Sequence, residues 1–126
     1  MERLLYVGGV YCIALILFHL SFWKIFAWAE QLPRLNRLNQ AIMQVLNLSL
    51  TFVFGILAYL SFAHADALLN TELGRVFLGA FALFWLFRSV LQVVFFKLEH
   101  WGSWAFLAWF LIGALIYGVP VIYPLF

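Results

Sequence analysis

Arg88 lies inside FLGAFALFWLFRSVLQVVFFKL, an apolar run with no Asp or Glu in its interior. A guanidinium stays charged at any working pH, and at membrane depth it costs about 2.5 kcal/mol or more, so it should face an acceptor. Trp85, Arg88 and Gln92 fall on one helical face. Gln40, Gln44, Asn47 and Thr51 do the same in the preceding run. His19 is the one histidine deep inside a run. A layer made of His19, Gln44, Asn47, Arg88 and Gln92 suits an anionic or carbonyl-bearing ligand: a lipid head group, a fatty carboxylate, a quinone oxygen or a partner's carboxylate. Arginine captures such groups through two N–H donors at once, and His19 would be a second donor or the one group there able to titrate. Trp85 and Trp109, with Phe95, Phe96, Phe106 and Phe110 nearby, would form an aromatic lining fit for a bound lipid, quinone or carotenoid. A structural reading stands beside this one. Amide and imidazole groups join membrane helices at about 0.6 kcal/mol per bond, and arginine can satisfy itself on amide and backbone carbonyl oxygens.

The elements that must position these residues follow from composition. The chain has 126 residues, 67% of them hydrophobic and 10% charged, with a mean hydropathy of +1.06. That is the make-up of an integral membrane protein. Four runs, at 4–27, 40–63, 75–97 and 102–125, each meet the length of about 20 apolar residues that a membrane helix needs. They are continuous rather than alternating, so a β-barrel is excluded. The connections are short, which makes successive helices antiparallel neighbours. The expected fold is all-α, an up-down bundle of four transmembrane helices in a single domain over 1–126.

At about 1.5 Å per residue, His19 sits roughly 12 Å, Asn47 about 10 Å and Arg88 about 13 Å from the same membrane surface. Gln44 and Gln92 are one turn nearer to it. The fourth helix is expected to close the layer as an apolar wall. Pro33 suits the first turn of the second helix, and Asn70 or Thr71 could cap the third, with Glu72 well placed beside it. Ala27-Trp28-Ala29 resembles a signal-peptidase site, but the preceding run is too long and Lys24 interrupts it, so the first span is expected to be retained.

Lys24, Arg34, Arg37 and Lys97 flank one side of the spans; Arg3 and Arg75 flank the other. Positive residues favour the cytoplasm, so both termini are expected outside it. The bias is modest and leaves a dual-topology dimer open. Trp23, Trp28, Trp101 and Trp104 gather on the inner side, and Tyr6, Tyr59, Tyr117 and Tyr123 toward the outer one.

Several chemistries lack their residues. Glu2, Glu30, Asp66, Glu72 and Glu99 all lie at ends or in connections, so no carboxylate relay crosses the membrane. Haem held by two histidines needs a second His at the depth of His19, which only a symmetric dimer would supply. No metal-ligand spacing occurs, lone Cys12 builds no thiolate site, and no resident cofactor is expected. The basic residues are split between two faces, so nucleic acid is not a partner. A nucleophile and a base do not fall together, which argues against catalysis.

AIMQVLNLSL, followed by LGRVFLGAFALFWLFRSVLQVVFF, resembles a group of small, uncharacterised bacterial four-span inner-membrane proteins. The shared residues are Gln44, Asn47, Gly74, Trp85, Arg88 and Gln92. The resemblance covers the second and third helices and implies a four-helix fold in a bacterial inner membrane; it brings no activity. The expected function is that of a non-enzymatic accessory subunit or homo-oligomeric membrane component, whose polar layer binds a lipid, an anion or a partner. A dimeric channel or carrier for a small anion is the alternative, and a quinone- or haem-associated subunit a further one.

Overall fold

The computed structural model describes residues 1–123. In chain order it contains α1 (Glu2–Leu20), α2 (Phe22–Ile25), α3 (Trp28–Gln31), a 3-10 turn at Leu32–Arg34, α4 (Arg37–Ala63), α5 (Ala65–Asn70), α6 (Glu72–Leu91) with a π-helical continuation over Gln92–Phe96, and α7 (Trp101–Ile122). No strand occurs among the described residues. Four helices, α1, α4, α6 with its continuation, and α7, are long and apolar enough to cross a membrane. Between 22% and 33% of the apolar stretch of each is buried inside the protein, so most of each surface is left for lipid.

Helix boundaries depart from the hydropathy runs for local chemical reasons. α1 stops at Leu20 rather than Ala27, and at the break the Ser21 hydroxyl donates to the Leu17 carbonyl at 2.7 Å. A second break follows at Ala27, whose φ of 53° is left-handed. Phe22–Leu35 therefore forms a broken strap instead of the last turns of a span. α4 begins after Asn36 and not at Pro33, since the Asn36 side chain accepts the Asn39 N–H at 2.8 Å. An amide cap outcompetes the proline, which sits in the 3-10 turn. Thr71 caps α6, accepting the Gly74 N–H at 2.9 Å, and Glu72 lies in the first turn. His100 caps α7 by accepting from Gly102 N–H at 2.9 Å. The expected end of the fourth run, at Leu125, lies outside the described residues.

Among the four long helices, three close pairings build the bundle: α1 with α4, α6 with α7, and α1 with α7; the short α5 packs on α6, α1 and α4. The two hairpins therefore meet mainly along the α1–α7 seam, while α4 and α6 make no close backbone pairing and touch through side chains. Two glycines make the seam possible. A Cβ on Gly8 would lie 2.7 Å from the Tyr117 hydroxyl, and one on Gly113 would lie 2.6 Å from the Tyr11 hydroxyl and 3.0 Å from Trp85 Cγ. Gly55 and Gly79 serve no such approach; a Cβ there would meet nothing within 4 Å. At the end where α1 begins, Arg75 donates to the Pro120 and Val121 carbonyls at 3.4 and 2.6 Å, closing the last turn of α7 with a cation.

Candidate functional site

His19 and Asn47 join α1 to α4. The Asn47 amide nitrogen donates to the His19 backbone carbonyl at 3.1 Å, which fixes the amide's orientation. Its oxygen then accepts from His19 Nδ1 at 2.6 Å, so Nδ1 carries a proton. Nε2 is left with no protein partner among the described residues. Asn47 is 6% exposed and does not line the cavity described below; it orients the ring that does.

Arg88 makes no hydrogen bond and no ion pair with any described residue, and its Nη1 is a buried donor without a partner. Instead, the guanidinium carbon lies 4.3 Å from the centroid of the Phe110 ring and 5.7 Å from that of Phe96. Such contacts are worth about 0.5–2 kcal/mol. A ring face stabilises the charge, but it offers no lone pair to an N–H.

Gln92 is buried and donates through Nε2 to Ser103 Oγ at 3.0 Å. The Ser103 hydroxyl in turn donates to the Lys97 carbonyl. That chain ties the π-helical turn to the start of α7 across a connection in which Lys97 has a φ of 57°. α7 is thus more than an apolar wall. Gln44 does not join the layer: its amide bonds its own helix, at the Gln40 carbonyl, 3.2 Å away. A side chain one turn from the surface can reach back along the helix, and this one does.

These groups surround a cavity of about 910 Å³. All four long helices and the strap contribute to it. His19, Arg88, Gln92 and Ser103 line it, as do Trp85 and Trp109, amid a majority of apolar and aromatic side chains. The strap adds Phe22, Phe26 and Trp28. Ligand sites commonly span about 300–1,000 Å³, apolar with a few placed polar groups, and this cavity falls in the upper part of that range.

Trp85 is 1% exposed and stacks between Phe54 and Phe110, at 5.7 and 6.1 Å between ring centroids. Its indole N–H has no partner. Tyr11 stacks on Trp109 at 4.5 Å and donates to that residue's carbonyl at 2.8 Å. Arg88 Nη1 and Trp85 Nε1 are thus two unpartnered buried donors, one turn apart, on residues that line the same cavity.

Beyond this aromatic layer lies a second polar cluster that the depth argument does not reach. The Tyr117 hydroxyl shares hydrogen bonds with Ser61 Oγ at 2.9 Å and Cys12 Sγ at 3.4 Å, and Tyr117 is fully buried. It is not an interfacial tyrosine. Tyr6, Tyr59 and Tyr123 are exposed at 42%, 60% and 61%. Nothing in the sequence separates Tyr117 from them except its position opposite Gly8.

Among the described residues, no group of three His, Cys, Asp or Glu side chains is placed to hold a metal. The chain matches no family model, no curated protein and no solved structure.

Proposed function

We propose that this chain is a small non-enzymatic membrane protein that takes the head group of an amphiphile, a lipid or a quinone, into its intramembrane cavity, acting as an accessory subunit or a homo-oligomeric component. One observation carries the reading: Arg88 lines an apolar cavity with none of its N–H donors satisfied by the described residues. A guanidinium at membrane depth without an acceptor is costly, and a bound oxygen-bearing head group removes that cost. The closed layer of Tyr11, Phe54, Trp85 and Phe110 favours binding over passage through one chain.

The reading includes membership of the small four-span family resembled by the second and third helices. It also includes a bacterial inner membrane with both termini outside the cytoplasm. Lys24, Arg34, Arg37 and Lys97, at the cavity end, support that orientation against Arg3 and Arg75 at the other.

Native mass spectrometry of the protein extracted in mild detergent tests the proposal. The expected result is a chain or oligomer carrying a retained amphiphile that Arg88→Gln loses. Retention of the same mass by the variant would refute it.

A further inference from the structure

Resting on the binding reading above and deepening it, we infer that the ligand is a single-chain lipid with a monoanionic oxyanion head, held at Arg88, whose tail leaves the cavity sideways between α4 and α6. The first argument is charge. No acidic residue lines the cavity, and Arg88 has no ion pair among the described residues. A neutral quinone would supply lone pairs and leave the buried cation uncompensated; a carboxylate or phosphodiester supplies both.

The donors fit such a head. Arg88 presents unpartnered N–H groups, and Trp85, fully buried one turn away and lining the same cavity, carries a second unpartnered donor. An oxyanion on the guanidinium supplies both the charge and the acceptor that Arg88 lacks. Phe110 and Phe96 meanwhile flank the guanidinium with ring faces, which offer it no lone pair.

Depth argues for one chain. Arg88 lies about 12 Å inside its helix end at about 1.5 Å per residue, against a half-thickness of about 15 Å for the hydrocarbon core. A two-chain phospholipid keeps its head at the interface and would have to sink almost to the midplane. A single-chain lipid can slide to that depth.

The tail has a path. α4 and α6 make no close backbone pairing and touch through the Phe54–Trp85 stack, and Met43 and Leu50 of α4 and Phe84 and Phe96 of α6 line the same cavity. These four side chains are all apolar, as a path for a hydrocarbon tail between the two helices requires. Lys24, Arg34, Arg37 and Lys97 at the same end raise the local concentration of anions.

The test uses the full chain in nanodiscs of phosphatidylcholine, titrated with palmitate, hexadecanol, lysophosphatidylglycerol and ubiquinone and read by native mass spectrometry. Palmitate is expected to bind in one copy per chain, about tenfold or more tighter than hexadecanol. Arg88→Gln should abolish that preference, Arg88→Lys should retain part of it, and Leu50→Trp, which narrows the gap, should weaken palmitate binding. The hexadecanol comparison uses the native chain and so decides the matter even where a variant fails to fold. Tighter binding of lysophosphatidylglycerol would identify the head as a phosphodiester within the same inference. Ubiquinone binding more tightly than palmitate, lost in Arg88→Gln, would overturn the inference and leave the binding reading standing. Binding of none of the four would overturn both.

Discussion

His19 and Asn47 hold one another reciprocally: the imidazole N–H donates to the amide oxygen, and the amide nitrogen donates to the backbone carbonyl of the same histidine. A single amide thereby fixes a helix pairing, a ring orientation and a tautomer.

Asn47→Leu should lower stability by about 1–2 kcal/mol, taking about 0.6 kcal/mol per membrane hydrogen bond and adding the exposed His19 carbonyl. Unfolding in graded SDS, followed by circular dichroism, measures this. A variant as stable as the native chain would mean that the pair contributes nothing net.

Gly113→Ala should destabilise by about 1–3 kcal/mol, because the new methyl would meet the Tyr11 hydroxyl and the Trp85 ring in a packed seam. Gly79→Ala meets nothing, and should be neutral or raise stability by a few tenths up to about 1 kcal/mol through helix propensity. The pair is a matched control: the same change, on α7 and on α6, with opposite expected signs.

Trp85→Phe keeps a ring in the stack and removes the unpartnered indole N–H. In ligand-free protein it should cost less than about 1 kcal/mol, since the lost ring area is offset by relief of a buried unsatisfied donor. Thermal unfolding of delipidated protein gives the answer. A loss of about 3 kcal/mol or more would show that the N–H has a partner.

Arg75→Gln should loosen the end of α7 without disturbing the cavity. Removing the cation from two terminal carbonyls costs about 0.5–1 kcal/mol. Hydrogen exchange should rise at the last turn of α7 and stay unchanged at Gln92 and Ser103.

Four runs of sufficient length in a chain with short connections left no other architecture, and the all-α four-helix form follows from that alone. Depth counting set His19, Arg88 and Gln92 in one layer because a rise per residue is nearly invariant in a helix. It could not tell where a side chain turns once there. Gln44 shares its depth with Gln92 and yet bonds Gln40, while Ser103, read as part of an apolar wall, completes the link from Gln92 to Lys97. Boundaries were legible only where a cap outweighed hydropathy: Thr71 carries its signal in the sequence, whereas nothing marks the stop at Ser21, since Thr51, Ser61 and Ser89 make the same bond to the carbonyl four residues back without ending their helices. Tyr117 was illegible for a different reason. A tyrosine near a helix end looks interfacial until a facing glycine is known to receive it.

The single seam between the hairpins has a mechanical meaning. Tyr117, Ser61 and Cys12 fasten three helices at one end, while at the other the walls are held by the Asn47 pair within one hairpin and the Gln92–Ser103 pair within its neighbour. Beside the cavity, one hydrogen bond crosses from hairpin to hairpin among the described residues, from the Tyr11 hydroxyl to the Trp109 carbonyl. The hairpins are therefore tied from the Tyr117 cluster up to the Tyr11–Trp109 bond, the Phe54–Trp85 stack spans α4 and α6, and only the strap end beyond that aromatic layer lacks a hydrogen bond from hairpin to hairpin among the described residues.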